Sequence, residues 1–278
     1  MARPQALLAA LAALVALVGL RCERAHAQTS TPTPPRAVGV PLPEPTPRSP
    51  PQPTAPALTV SFSALEVPGY GEAVVSVPGD GRAHPVVVAA HGNYDRPEWQ
   101  CGAWSQLVRG RAFILCPRGI ARRDSPSPRD VRFTYRDGLA LGREIDAGLA
   151  ALRAAYGERI APGAIVYAGF SLGAIMGTGY LRRTREQVAA AVMIEGGHDG
   201  WTAGSARAFA QRGGRAVLFG CGQGGCANDA RRAVARMRGA PVQTAVTLAP
   251  RAGHSYGGVV WDAMREAFER LVAPTLAR

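Results

Sequence analysis

The stretch Ala164-Ile165-Val166-Tyr167-Ala168-Gly169-Phe170-Ser171-Leu172-Gly173 sets the fold class of this chain. Its first five residues form a short apolar run of the kind that makes a strand buried on both faces. From Leu172 to about Arg183 the chain continues as an apolar, helix-like segment. Between the two, G-x-S-x-G marks a sharp strand-to-helix turn that lifts a serine hydroxyl above the edge of a sheet. Side chains at Gly169 and Gly173 would collide with the turn and the neighbouring strand, so glycine is required at both.

The same alternation extends in both directions. Upstream, Leu58 to Ala64 and Ala73 to Val77 read as β-like stretches separated by Pro68-Gly69, and Pro78-Gly79-Asp80-Gly81 reads as a turn. Strand-length apolar runs follow at Pro85 to Ala90 and at Ala112 to Cys116. A polar loop spans about Ala121 to Arg136, and Leu139 to Tyr156 carries apolar residues at helical spacing up to Gly157. Downstream, strands are expected at Ala189 to Ile194, Arg215 to Phe219 and Val242 to Leu248. Helices are expected at Ser205 to Gln211, Asn228 to Met237 and Gly258 to Val272. Short apolar strands alternating with amphipathic helices imply an α/β protein: a mostly parallel central sheet with helices on both faces. The β-rich start adds an antiparallel N-terminal edge.

The first 27 residues read as an export signal. Arg3 supplies a positive start, Ala6 to Leu20 is an unbroken apolar run, and Ala25-His26-Ala27 is a small-x-small cleavage pattern. The run is about 15 residues, short of the ~20 that span a membrane. Lipid anchoring at Cys22 is disfavoured by Arg21 before it. Residues 28 to 57 are rich in proline, which accounts for about two in five of the positions from Thr29 to Pro56. Such a segment forms neither helix nor sheet and is expected to be extended and solvated, either a tether that spaces a domain from the cell envelope or a leader with no role of its own. Residues 58 to 278 have the length of one domain.

Loss of the signal would leave Cys101, Cys116, Cys221 and Cys226, an even number in an exported chain, which suggests disulfides. Cys221 and Cys226 are close enough to close a small ring. Cys101 and Cys116 would then pair by default, although spacing does not fix the connectivity. No CxxC or HxxxH spacing supports zinc, and neither a metal nor a cofactor is expected. The net charge of +12 comes entirely from arginine, because the chain has no lysine. These arginines are scattered and aromatics are sparse, so no nucleic-acid partner is expected. The charge reads as a solvated surface with a weak preference for anionic polymers.

In parallel sheets, functional groups gather at the carboxyl ends of the strands. Ser171 lies there, and so does His254, in the loop that follows the last strand. A serine hydroxyl needs an adjacent base to become a nucleophile, and an imidazole across the sheet edge can be that base. His91-Gly92-Asn93 follows an earlier strand. The backbone N–H of Asn93, or of Gly92, together with that of Leu172, would bind a developing oxyanion. Tyr94, Trp99, Trp104 and Tyr135 fall in loops or loop edges after the early strands, either lining an acyl pocket or packing beneath the loops. His198-Asp199 is a loop pair, since two adjacent residues converge poorly on one ion.

From about Pro85 onward the chain resembles the α/β-hydrolases, in particular the dienelactone-hydrolase, carboxylesterase and polymer-esterase-like branches. The residues that carry the resemblance are Ala90-His91-Gly92, Gly169-Phe170-Ser171-Leu172-Gly173 and Gly253-His254-Ser255, in that order. It implies a serine hydrolase that passes through an acyl-enzyme, with Ser171 attacking a carbonyl and His254 shuttling the proton. Family members usually place an aspartate after the strand preceding the last one. Here the only carboxylate in that stretch is Asp229, far along it and near the first turn of the next helix. Glu195, directly after the strand Ala189 to Ile194, is the alternative acid, and Asp199 a weaker one. No lid-like insertion is apparent between the serine turn and His254, so large lipid droplets are not the expected substrate and an ester of small or moderate size is. The competing reading is a binding or cell-envelope module that kept the fold and lost its acid.

Overall fold

The computed structural model describes residues 59–277. The export signal, the proline-rich stretch and Cys22 lie outside the described residues. Eight strands form one sheet: β1 (Val60–Leu65), β2 (Ala73–Pro78), β3 (Val86–Ala90), β4 (Phe113–Cys116), β7 (Ile165–Phe170), β8 (Val188–Ile194), β9 (Ala216–Cys221) and β10 (Gln243–Leu248). A two-stranded ribbon, β5 (Ile120–Ala121) and β6 (Phe133–Thr134), stands apart within the expected polar loop. The strand order is β1-β2-β4-β3-β7-β8-β9-β10. β2 runs antiparallel to both of its neighbours, and every pairing from β4 to β10 is parallel. The antiparallel edge and the parallel body both match the sequence reading.

Each strand of the parallel body divides its side chains between two cores. Val86, Val88 and Ala90 of β3 join one cluster, which is covered by α2 (Gly138–Tyr156), α3 (Leu172–Arg183), α4 (Ala203–Gln211) and α5 (Gly224–Arg236). Val87 and Ala89 join the other, covered by α1 (Pro97–Val108) and α6 (Gly258–Leu271). This alternation follows from the two-residue period of a strand, and burial of both faces explains why the strands read as continuous apolar runs. Among the described residues, no helix is long and apolar enough to cross a membrane.

α1 was not foreseen, and it corrects the loop placement of two tryptophans. Pro97 opens it at the first helical position, where a missing N–H costs nothing. Cys101, Trp104, Leu107 and Val108 line its buried face at helical spacing. Trp104 is fully buried against Trp261 and Phe268 of α6 (centroids 4.9 and 6.4 Å), so it is core and not pocket wall. Trp99 sits on the outer face of the same helix, with the guanidinium of Arg132 4.4 Å from its ring centroid. Cys101 of α1 is bonded to Cys116 at the end of β4, and Cys221 to Cys226. Both pairs are the expected ones.

Trp104→Ala should lower the free energy of unfolding by about 3–5 kcal/mol, because an emptied site between two packed helices collapses poorly. Trp99→Ala should cost under about 1 kcal/mol, the range of an exposed cation–π contact. Urea denaturation of the two variants side by side measures the contrast, and equal losses would reject the placement of α1.

Candidate active site

β4 flanks β3 on one side, while the chain returns through α2 to place β7 on the other. The strand order therefore reverses between β3 and β7, the place where open α/β sheets form their crevice. Ser171 follows β7, Gly92 and Asn93 follow β3, Glu195 follows β8, and His254 lies in the loop after β10. The registers Ala90↔Gly169, Phe170↔Ile194 and Ile194↔Gly220 bring these strand ends level along one sheet edge.

Ser171 turns out of β7 with φ 49° and ψ −113°, a region that side chains rarely tolerate. Its N–H donates to the Ile194 carbonyl (2.8 Å), and the Gly173 N–H donates to the His91 carbonyl (3.1 Å). The Tyr167 hydroxyl donates to the Gly173 carbonyl at 2.7 Å. A Cβ at Gly169 would stand 2.7 Å from the Ala174 nitrogen, and one at Gly173 2.7 Å from the His91 carbonyl oxygen. The glycines of the motif are thus required by the close approach of β3, β7 and α3.

The Ser171 hydroxyl donates to His254 Nε2 at 2.8 Å, and His254 Nδ1–H donates to Glu195 Oε2 at 3.1 Å. Glu195 Oε1 accepts the Gly222 N–H at 2.5 Å and the Gln223 N–H at 3.1 Å. The Glu195 side chain is 1% exposed and that of His254 48%, so a dry carboxylate backs an imidazole that is open to solvent. Gln223 is the N-cap of α5, whose positive end faces the carboxylate and favours its charge.

The structure does not bring Asp229 to His254. α5 begins at Gly224, four residues before the predicted start, and this carries Asp229 past the first turn. There its carboxylate pairs with Arg232 and lies 4.0 Å from His198 Nε2. Asp199 is 92% exposed on its side chain and faces the His198 ring. Of the three carboxylates considered, Glu195 is the one that meets the imidazole.

Next to Ser171, a Cβ at Gly92 would stand 2.8 Å from the Phe170 ring and 3.3 Å from Ser171 Cβ. Only glycine lets this backbone lie alongside the serine. Leu172 is the first residue of α3, so its N–H has no intrahelical acceptor. The side chain of Asn93 accepts from Arg122 (2.8 Å). Two residues that the sequence did not single out tie these loops together. Buried Asp95 accepts from the N–H groups of Gly92 (3.4 Å) and Arg96 (2.8 Å), from Gln100 Nε2 (3.1 Å) and from the Tyr256 hydroxyl (2.9 Å). Tyr256 lies two residues beyond His254, and burial together with the nearby Asp95 charge pushes its hydroxyl pKa up. An aspartate four residues past His91 was the available signal, but its tyrosine partner is distant in the chain.

No protein-family model matches this sequence, and no curated protein matches it. Solved structures do. TT1662 from Thermus thermophilus superposes with a TM-score of 0.56 at 15% identity, over 77% of this chain and 98% of that one. The esterase PE8 follows at 0.53 and 17%, over 76% and 100%. A ferulic acid esterase gives 0.51 and 15%, over 78% and 96%. With the strand order, the serine turn at the switch point and the histidine after the last strand already in place, these likenesses identify the architecture: the chain has the α/β-hydrolase fold.

Tyr135, expected either to line a pocket or to pack beneath the loops, is buried under the β3 loop and packs there. Its hydroxyl accepts the His91 N–H (3.1 Å) and donates to the Pro117 carbonyl (3.3 Å), and its ring stacks on His91 at 4.4 Å. His91 lies 2.8 Å from the Arg118 carbonyl through Nε2 and 2.7 Å from the Gly92 carbonyl through Nδ1, and burial pushes its pKa below the usual histidine value. The next peptide, Gly119 N–H, donates to Glu144 Oε1 at 2.8 Å. Burial pushes the Glu144 carboxyl above its usual 4.5. The folded protein then holds this proton to higher pH than the unfolded chain does. The group's contribution is full below about the unfolded value and is lost as pH rises through the raised folded value. Glu144→Gln keeps the acceptor and removes the titration. Its unfolding free energy relative to the wild type should therefore rise as the pH climbs from the ordinary carboxylate value through the raised folded one. Urea unfolding across that range checks this, and a constant difference would reject burial as the cause.

Proposed function

We propose that this chain is an exported serine hydrolase that cleaves carboxylic esters of small or moderate size. The observation that carries the reading is one continuous line of hydrogen bonds, Ser171 to His254 to Glu195, at 2.8 and 3.1 Å. In this reading His254 Nε2 takes the Ser171 proton as Oγ attacks the ester carbonyl. Glu195 holds the Nδ1–H tautomer and steadies the imidazolium that forms. The N–H groups of Leu172 and Asn93 receive the oxyanion, a contribution that is often the largest single one in acyl transfer. His254 then protonates the departing alcohol, and a water activated by the same imidazole releases the acid from the acyl-enzyme. The half-exposed His254 supports direct access of substrate from solvent. Thioester, acyl-transfer and peptide chemistry would use the same groups, so the acyl acceptor and leaving group are matters for substrate profiling.

The export signal at residues 1–27 and the proline-rich segment at residues 28–57 complete the proposal. They would deliver the enzyme beyond the cytoplasm, where two disulfides persist, and hold it near the cell envelope. The competing binding-module reading was motivated by the cysteine-ringed loop at Cys221 to Cys226; the Glu195 carboxylate against His254 Nδ1 supports the hydrolase instead.

A fluorophosphonate probe should label the wild type at Ser171, and Ser171→Ala should abolish labelling. Glu195→Gln should lower kcat about 10⁴-fold, as loss of the tautomer-fixing acid does in such triads. Asp229→Asn should stay within about twofold of wild type, since it touches none of the reacting groups. Folded wild-type protein that takes no probe and hydrolyses no ester would overturn the enzyme reading in favour of the binding module.

A further inference from the structure

Both N–H groups that compensate the Glu195 charge belong to one small ring. Cys221 is the last residue of β9, Cys226 lies in the first turn of α5, and their disulfide closes the segment Gly222-Gln223-Gly224-Gly225. Three of these four residues are glycine, the residue that loses most backbone freedom on ordering. No atom lies within 4 Å of the position a Cβ would take at Gly224 or Gly225, so side-chain packing does not hold this stretch. The N-cap residue Gln223 makes no side-chain cap to the helix either. Gly222, in contrast, is pressed from outside: a Cβ there would collide with the Gly253 carbonyl oxygen and stand 3.0 Å from Ala252 Cβ. The ring therefore contacts the acid on one side and the histidine loop on the other. The two sulfurs and a Glu195 carboxylate oxygen lie within 4.8 Å of one another.

We propose that the Cys221–Cys226 disulfide is a positioning device for the acid. It keeps the Gly222 and Gln223 N–H groups on Glu195 Oε1, and so keeps the ionised carboxylate aimed at His254 Nδ1. This rests on the Ser171–His254–Glu195 reading and adds that a covalent bond remote from the reacting atoms sets their alignment. Opened, the glycine segment would sample many conformations and its donors would leave the carboxylate. A buried charge without donors is unfavourable, and the side chain would rotate away in search of other partners. The imidazole would then lose the partner that fixes its tautomer. Substrate contacts would be unchanged, so the loss should fall on kcat and not on KM. Because the ring is short, opening it should change global stability less than opening a long loop.

The test compares wild type, Cys221→Ala/Cys226→Ala and Glu195→Gln. The measurements are ester kinetics, thermal unfolding and the far-downfield proton resonance of His254 Nδ1–H. The double variant is expected to melt near the wild type, lose about 10–100-fold in kcat at a KM within about twofold, and lose or broaden the downfield resonance. Glu195→Gln should fall further still. If the alanine pair does not fold, Cys221→Val/Cys226→Ala refills the buried volume of Cys221 and carries the same comparison. Wild-type kcat and an intact resonance in a folded ring-opened variant would overturn the proposal while leaving the hydrolase reading in place. A wild type inert toward esters and probe would overturn the hydrolase reading, and the resonance would still report on the ring: its loss on opening supports the positioning role, its persistence refutes it.

Discussion

The conformation of Ser171 is the constraint around which the rest of this molecule is arranged. A non-glycine residue at φ 49° and ψ −113° costs on the order of 1–3 kcal/mol and survives only where its surroundings over-determine it. Here β8 accepts its N–H, the β3 loop accepts the N–H of Gly173, and the Tyr167 hydroxyl seals the Gly173 carbonyl. Those contacts demand that β3, β7 and α3 approach within the space of a missing Cβ at Gly92, Gly169 and Gly173. The central, doubly buried position of β7 in the sheet makes that approach rigid. Strain at one residue is thus spread over three elements whose stability comes from the two cores.

Glu195 is the second non-glycine strand-end residue of the site with a positive φ, at 52°. Its location follows from simple geometry. β8 and β9 are adjacent parallel strands, so moving the acid from the end of one to the end of the other shifts its origin by about 5 Å. A glutamate is one methylene longer than an aspartate, and from the end of β8 its carboxylate reaches His254 Nδ1 at 3.1 Å. The vacated place after β9 then serves a different purpose: its backbone N–H groups and the N-terminus of α5 compensate the carboxylate. A charge at 1% exposure is tolerable because two donors and an imidazole surround it.

What the sequence revealed and what it hid divide along local and long-range physics. The sheet was legible because both faces are buried, which leaves uninterrupted apolar runs such as Val86–Ala90 and Val188–Ile194. The serine turn was legible because close approach forces glycine at fixed offsets. The cysteine pairs were legible because one of them closes a ring of neighbours. α1 was not: its apolar positions span only 12 residues, and the aromatic residues at 99 and 104 suit a loop as well as a helix. The choice between Asp229 and Glu195 as the partner of His254 was left open for a related reason. α5 starts on Gly224-Gly225 with no capping side chain, so nothing in the sequence marks its first turn, and the status of Asp229 depends on that turn.

Asp95 shows how the two halves of the site are kept in step. Its contact with Tyr256 joins residues 161 positions apart, beyond the reach of any local pattern. The same carboxylate receives the Gly92 N–H, so the loop beside the serine and the loop carrying the histidine share one anchor. Tyr256 meets Phe170 edge-on at 4.6 Å, and Phe170 lies 5.1 Å from the His254 ring. A buried aspartate can hold several donors at once because, once ionised, its oxygens offer about four acceptor positions. Glu195 and Asp95 therefore divide the labour of two buried charges. One accepts the His254 Nδ1–H, and the other joins the loop after β3 to the loop that carries His254. In the proposed hydrolase, a site whose donors are aimed before substrate arrives would need both, since a loop free to move would spend interaction energy on ordering itself.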